Sequence, residues 1–159
     1  MKYHMHKKER EITDNQNIEF IIQDGKLVII SMCKGNEPYV VTMNYGYDTQ
    51  KHALYFHCAK KGLKLDIIRI NPEVCATVVQ DRGYIMDKCS HAYTSAVFWG
   101  KLYIVQDMAE KKYGINILID HLEDNPNQVK KRLLKNNAIF NSMEILRLDI
   151  QTISGKEGN

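Results

Sequence analysis

Residues 53–70 read ALYFHCAKKGLKLDIIRI, a stretch that predicts a strand, a tight loop and a helix in immediate succession. Residues 53–57 have the aromatic and apolar composition of a strand. The apolar residues of 63–70 recur at helical spacing, and the helix should end before Pro72, since proline disfavours a helical residue in front of it. The carboxyl end of a strand therefore leads directly into a helix.

The loop in this stretch places Lys60, Lys61 and Lys64 around the first turn of the predicted helix. Free N–H groups and the macrodipole already make that end positive, so each lysine there costs about 0.3–1 kcal/mol. A bound phosphate would relieve the conflict, because the N–H groups, the lysines and His57 can all donate to its oxygens. A solvated lysine cluster explains the same spacing equally well, since salt screens surface repulsion.

Outside this stretch the chain predicts a mainly β protein with peripheral helices. Five more strands are expected, at residues 26–33, 39–45, 74–79, 93–105 and 143–153. Gly100, inside the fourth of these, should mark a bend or bulge. Helices are also expected at 13–24, 108–122 and 127–136. Six strands without regular βαβ alternation indicate a six-stranded barrel. We expect one domain over residues 1–159, with a core of 10–153 and mobile ends at 1–9 and 154–159.

Composition narrows the class of protein. Apolar residues make up 44% and charged residues 26%, as in an ordinary globular domain. The net charge of +3 is too small to imply a nucleic-acid surface. The sequence has neither an apolar secretory signal nor a membrane span, and its four cysteines form no C-x-x-C pair, so we expect a cytoplasmic protein with free thiols. His4 and His6 lack a third ligand nearby, and no metal site is assigned.

The predicted strand at 39–45 and the residues after it carry tyrosines at 39, 45 and 47, with the smaller Thr42 and Asn44 between them. A planar ring could lie against such a surface. Packing in the core explains the same tyrosines more often than a ligand does. The pattern alone leaves both interpretations open.

Several segments spread along the chain form one pattern. They are Arg10-Glu11-Ile12, residues 39–47, Leu54 to Ala59 with Gly62 and Lys64, Asn71 to Cys75, Cys89, Tyr93 to Gly100, and Gly155-Lys156. Together they resemble the nitroimidazole-resistance branch of the pyridoxamine 5'-phosphate oxidase-like family of FMN-binding split barrels. The most specific part is the Tyr-Phe-His-Cys-Ala strand end followed by Gly62 and Lys64.

The resemblance implies a homodimer with FMN at the subunit interface. It assigns Val40, Val41, Thr42, Met43 and Asn44 to the strand whose backbone faces the flavin ring. It assigns Phe56, His57 and Lys64 to the end of the site that holds the ribityl phosphate, and Ser95 to a polar position on a later strand. The positive charge of Lys60, and not the resemblance, adds this residue to the candidate cofactor contacts. Thr42 stands where relatives usually carry proline, so the strand geometry beside the ring is expected to differ.

The function implied is that of an FMN-dependent oxidoreductase, passing electrons from a reduced donor such as NAD(P)H to a small, nitroaromatic acceptor. His57 is the one candidate for proton delivery.

Two alternatives stay open: a non-catalytic FMN or haem protein acting as carrier or sensor, and a basic nucleic-acid-binding module. Oxidation of pyridoxamine phosphate itself is disfavoured, because residues 146–149 lack the Arg-Leu-x-Pro ending of that enzyme. Cys89 could be a flavin-side thiol or an ordinary loop cysteine.

Overall fold

The computed structural model describes residues 5–158, in which eight strands form one sheet with helices around it. The strands are β1 (Glu11–Ile12), β2 (Leu27–Lys34), β3 (Glu37–Asn44), β4 (Gly46–Asp48), β5 (Ala53–Ala59), β6 (Glu73–Ile85), β7 (Ser90–Ile104) and β8 (Met143–Gly158). The helices are α1 (Asn15–Asp24), α2 (Leu63–Ile70), α3 (Met108–Leu122) and α4 (Pro126–Leu133). Short 3-10 helices cover Lys8–Arg10 and Asn137–Asn141.

The described strand pairs are antiparallel, and the sheet order is β3-β2-β6-β7-β8-β5-β4, with β1 paired to β8. The predicted class, mainly β with peripheral helices, is confirmed. The predicted strand count is wrong, because residues 5–158 contain eight strands rather than six. β1 and β4 have two and three residues, too few for an alternating apolar pattern to reveal them.

The prediction of a mobile tail at the end of the chain is also wrong for the described residues. Residues 154–158 were expected to lie in a mobile tail, yet β8 runs to Gly158 and pairs with β7 from Tyr93 to Val97. A Cβ on Gly155 would lie 2.7 Å from Ile18 of α1, so this glycine serves close packing rather than a loose tail. Near the other end, Met5 is buried and residues 8–10 are helical. Residues 1–4, including His4, and residue 159 lie outside the described residues.

Local signals place several elements correctly. α2 and α3 have the predicted bounds, and the register shift between Trp99 and Gly100 confirms the predicted irregularity. Asp14 caps α1 by accepting a hydrogen bond from the Gln16 N–H at 3.0 Å. β6 and β7 are longer than predicted, because their hairpin continues past a register shift between Asp81 and Tyr84.

The sheet curls around one apolar cluster, and α3 covers a second cluster on its outer side. The inner cluster contains Ile22 of α1, Ile30 of β2 and Phe98 of β7, together with residues of α2 and β6. The outer cluster joins Tyr55 of β5 to residues 115–119 of α3. β5 is therefore covered on both faces, and its first four residues are all buried.

A polar network ties α3 to β5 and β8. Arg147 donates to Glu110 at 2.7 Å and to Asp149 at 2.6 Å, and the Tyr55 hydroxyl donates to Glu110 at 3.1 Å. The hydrogen bond from Arg147 is the main reason that the pKa of Glu110 lies below its ordinary value. Arg147 is thus committed to two carboxylates of its own chain.

Replacing Glu110 by glutamine is expected to lower the free energy of unfolding at pH 7 by about 1–2 kcal/mol. Because the folded-state pKa is depressed, the carboxylate contributes its stability above the unfolded pKa, and the contribution is lost as the pH falls through the folded pKa. The gap between the wild type and Glu110→Gln should therefore close between neutral and strongly acidic pH. Urea unfolding curves across that range test this, and a gap that does not change with pH would count against it.

Candidate functional site

A cavity where β3 approaches the end of β5, called here the seam cavity, gathers most of the residues assigned to the cofactor. Its volume is about 320 Å³, within the range of about 300–1,000 Å³ typical of small-molecule sites. Six of its residues were predicted: Val41, Thr42, Met43, Asn44, His57 and Lys64. β3 and β5 are far apart in sheet order, so curling of the sheet creates the site.

One end of the seam cavity is the start of α2. Lys64 is the second residue of this helix, and Gly62 before it has a φ of +145°, a conformation that other residues rarely adopt. Gly62 offers no side chain to cap the helix, and Asp66 in the first turn is paired with Arg69 at 3.1 Å. The N–H groups of the first turn and the Lys64 ammonium therefore favour an anion.

Cys58 lies at the same end of the cavity. Burial raises the pKa of its thiol, and the nearby charge of Lys64 acts in the opposite direction with a smaller effect. A thiol with a raised pKa stays protonated at neutral pH, so Cys58 is a poor nucleophile there. The chemistry available at this end belongs to Lys64, the helix N–H groups and the exposed His57.

The other end of the seam cavity is formed by β3, an edge strand of the sheet, whose outer backbone groups are free to bind a ligand. Asn44 donates from Nδ2 to the Lys26 carbonyl at 3.2 Å. The loop of Gly25 and Lys26 is held in turn by α3, since the Gly25 carbonyl lies 2.7 Å from His121 Nε2 and Lys26 Nζ donates to the Leu122 carbonyl at 3.2 Å. Burial lowers the pKa of His121, which keeps this imidazole neutral at pH 7.

The remaining predicted residues lie elsewhere. The Phe56 side chain is fully buried in the inner cluster, so Phe56 could reach a ligand only through its backbone. Val40 is exposed on β3, and Lys60 is exposed in the bend before α2. Ser95 is buried on β7 and lines a second cavity of about 320 Å³, called here the β6–β7 cavity. Cys89 is exposed at the tip of the hairpin between these strands.

The tyrosines at 45 and 47 belong to the core. The Tyr45 hydroxyl donates to the Ile22 carbonyl at 2.6 Å, and its ring lies 4.9 Å from the ring of His121. Burial raises the pKa of Tyr47 to about 12. For these two residues core packing is the correct interpretation, and they do not form the surface of the seam cavity.

Sequence reasoning missed two features. Leu27 lines the seam cavity because it pairs with Asn44 across β2 and β3, a contact that only the register reveals. Asp81 and His91 meet at 2.6 Å across the β6–β7 hairpin. Neither residue is part of a recognisable motif, and only the hairpin register brings them together.

A family model described as pyridoxamine 5'-phosphate oxidase matches residues 14–157. The chain belongs to this family. The resemblance to the pyridoxamine 5'-phosphate oxidase-like family is thereby confirmed. No curated protein matches the chain.

Solved structures similar to this oxidase-family chain include a 5-nitroimidazole antibiotic resistance protein from Bacteroides thetaiotaomicron, 24% identical, with a TM-score of 0.78 over 99% of this chain and 96% of that one. An FAD-binding protein from Mesorhizobium loti is 19% identical, with a TM-score of 0.69 over 94% and 98% of the two chains. The flavocytochrome Anf3 from Azotobacter vinelandii is 15% identical, with a TM-score of 0.82 over 98% of this chain and 72% of that one.

At these identities the similarities establish the fold alone. Over residues 5–158, no helix combines the length and apolar character needed to cross a bilayer.

Proposed function

We propose that the chain binds FMN in the seam cavity and passes electrons from a reduced donor, with NAD(P)H as the candidate, to a small acceptor. The observation that carries this proposal is the convergence of Lys64, His57 and the edge of β3 on one cavity. When bound, FMN supplies the redox chemistry, while the protein supplies binding, orientation and electrostatics.

The donor set of the seam cavity fits a phosphorylated flavin. Its nine lining residues include one lysine and one histidine and no carboxylate, so the charge at the cavity favours an anion. Lys64, the first-turn N–H groups of α2 and His57 would hold the phosphate. The backbone of residues 41–44 would follow the ring edge, where N–H groups stabilise negative charge on a reduced ring.

His57 has a second role in this proposal. Its side chain is exposed beside the cavity, and an imidazole can hold and release a proton near neutral pH. A reduced acceptor must gain protons as well as electrons, so His57 is the candidate proton donor. Phosphate binding and proton donation remain separable, because only the first changes flavin affinity.

The alternative is a non-catalytic FMN or haem protein acting as carrier or sensor. His57 is a candidate axial ligand for haem, because its side chain is exposed beside the seam cavity. Haem binding would give a Soret band after reconstitution, and FMN binding would give flavin bands. Oxidation of pyridoxamine phosphate is not expected, because Arg147 is held by Glu110 and Asp149.

We also propose that a second copy of the chain covers the outward face of β2, β6 and β7. Ile29 and Val79 are 42% and 50% exposed on this face, although both belong to strands inside the sheet. Thr77 pairs with Ile29, and its Oγ1 is buried without a hydrogen bond among the described residues. Exposed apolar residues in the middle of a sheet are typical of a protein interface.

The free cysteines among the described residues support a proposed location in the reducing cytoplasm.

Replacing Ile29 by glutamate is expected to weaken the dimer at least tenfold, because the charge would lose its water in the interface. Sedimentation velocity over a concentration series measures this. Leu133→Glu is a matched control, since Leu133 is 40% exposed on α4, away from the face. A wild type that is monomeric throughout, or an unchanged dimer in Ile29→Glu, would contradict the proposed interface.

Turnover tests the enzymatic proposal. The FMN-loaded protein is mixed with NADPH and 2-methyl-5-nitroimidazole without oxygen, and the nitro absorption band is followed. We expect FMN-dependent loss of the band, with no oxidation of pyridoxamine phosphate in a parallel assay. Flavin binding without any reduction of the nitro compound would instead favour the non-catalytic alternative.

A further inference from the structure

A third cavity, called here the α1 cavity, lies between α1 and neighbouring parts of β6, β7 and β8. Its volume is about 360 Å³, within the range typical of small-molecule sites. The cross-strand pairs Gln80–Thr94 and Thr94–Glu157 place three of its lining residues in one row across the sheet. Among the described residues, none lines both this cavity and the seam cavity or the β6–β7 cavity. An occupant of the α1 cavity therefore leaves the proposed FMN site and the proposed dimer face free.

The floor of the α1 cavity is held by a chain of side-chain hydrogen bonds. Thr94, which is buried, donates from Oγ1 to Gln80 Oε1 at 2.8 Å. Gln80 Nε2 donates in turn to Asp24 Oδ2, near the end of α1, at 2.8 Å. Both ends of the Gln80 amide are thus occupied within the protein. Recognition of an occupant therefore depends on the other polar side chains around this floor.

A β-bulge presents Arg82 to the α1 cavity. The register of β6 and β7 shifts between Asp81 and Tyr84, so Arg82 and Gly83 form the bulge. Gly83 has a φ of +95°, and its N–H donates to Asp81 Oδ1 at 2.7 Å, which fixes the local conformation. Bulges commonly re-aim a side chain towards a site. Among residues 5–158 the Arg82 guanidinium forms no ion pair or hydrogen bond, so its charge is available to an occupant.

Two carboxylates, those of Asp14 and Glu157, line the same cavity. Asp14 already accepts the Gln16 N–H as the cap of α1. Glu157 is half-buried on β8, and within the described part of the chain its carboxylate forms no ion pair. Neighbouring strands lie about 4.8 Å apart, so β6 and β8 place Arg82 and Glu157 about 10 Å apart across the floor. The cavity therefore presents one cation and one free anion on opposite sides, an arrangement that suits a small molecule carrying both charges.

The side of the α1 cavity formed by α1 and β1 is apolar. Phe20 of α1 is 60% exposed, and Ile12 and Ile21 line the cavity with it. Ile21 is buried in the inner cluster, so this wall is continuous with the core. An apolar or aromatic group in the cavity would cover part of the Phe20 ring and remove both surfaces from water. The charges and the apolar wall together define an occupant with two opposite charges and an apolar side chain.

We propose that the α1 cavity binds a free α-amino acid with an apolar or aromatic side chain. Arg82 holds the carboxylate, Glu157 holds the ammonium group, and Phe20 covers the side chain. A free amino acid carries both charges on one carbon, whereas each terminus of a peptide carries only one of them. A nucleotide does not fit, because two carboxylates stand against one guanidinium in the lining. Binding at this site needs no flavin, so it is independent of the proposed function.

Isothermal titration calorimetry of the full-length protein, with and without FMN, tests the site with L-phenylalanine and L-leucine. We expect saturable binding in both forms of the protein. Arg82→Gln should weaken L-phenylalanine binding at least about tenfold, because it removes a charge-assisted contact. The same variant should bind phenethylamine, which lacks the carboxylate, like the wild type. Glu157→Gln should also weaken L-phenylalanine binding, but it should leave the affinity for 3-phenylpropionate, which lacks the ammonium group, unchanged.

Arg132→Gln is the matched control, because Arg132 is exposed on α4 and lies outside the α1 cavity. It should bind L-phenylalanine like the wild type. Three results would overturn the assignment: no saturable binding of either amino acid by the wild type, wild-type affinity in both Arg82→Gln and Glu157→Gln, or an equal loss of L-phenylalanine and phenethylamine binding in Arg82→Gln. A protein that binds no FMN yet shows Arg82-dependent binding of L-phenylalanine would overturn the proposed function and leave this site standing.

Discussion

Phe56→Ala should lower the free energy of unfolding by about 3–5 kcal/mol, the usual cost of removing a fully buried aromatic side chain. Phe56 has no exposed surface and packs in the inner cluster, while its strand β5 pairs with β8 through Leu146. Removing the ring leaves a cavity that the surrounding strands cannot close. Chemical unfolding followed by circular dichroism measures the loss.

Phe56→Leu is the control for function. It keeps most of the volume and should cost less than about 1.5 kcal/mol, so the variant stays folded. Because the Phe56 side chain points into the core, Phe56→Leu should bind FMN like the wild type. A folded Phe56→Leu variant with markedly weaker FMN binding would mean that the ring itself contacts the flavin.

Lys64→Ala should weaken FMN binding about 10- to 150-fold, since a charge-assisted hydrogen bond contributes about 1.5–3 kcal/mol. Riboflavin lacks the phosphate, so its affinity should change little in the same variant. The ratio of the FMN and riboflavin affinities therefore isolates the phosphate contact from any general effect on the cavity. Flavin fluorescence quenching measures both constants.

Lys61→Ala is the matched control, because Lys61 is an exposed lysine in the same loop but does not line the seam cavity. Its FMN affinity should stay within about twofold of the wild type at physiological salt, where distant charges are screened. If Lys64→Ala retained full FMN affinity, or lost FMN and riboflavin equally, Lys64 would not be the phosphate contact.

Signals that lie within a few residues of each other were readable from the sequence. Gly62 and Asn71-Pro72 bound α2, and Gly100 marks the register shift of β7. The strand end at His57 and the helix start at Lys64 line one cavity, and phosphate binding there stays a prediction. These signals act through backbone conformation and charge, which do not depend on the rest of the fold.

Features that depend on long-range pairing were not readable. The residues of β5 from Ala53 to Phe56 are all buried, because the inner cluster and α3 cover opposite faces of this strand, so no alternation revealed that Phe56 points inward. The polar, glycine-containing end of β8 resembled a tail, yet pairing with β7 satisfies its backbone. The Asp81–His91 pair exists only through the hairpin register.

The most direct test of the FMN assignment is an absorption spectrum of the purified protein after incubation with FMN and removal of the free flavin, followed by quantification of the flavin released by heat. The structure leads us to expect flavin bands and one FMN per chain, with much less FMN retained by Lys64→Ala. A wild-type protein that retains no flavin, or that shows a Soret band with haem instead, would contradict the assignment of FMN to the seam cavity.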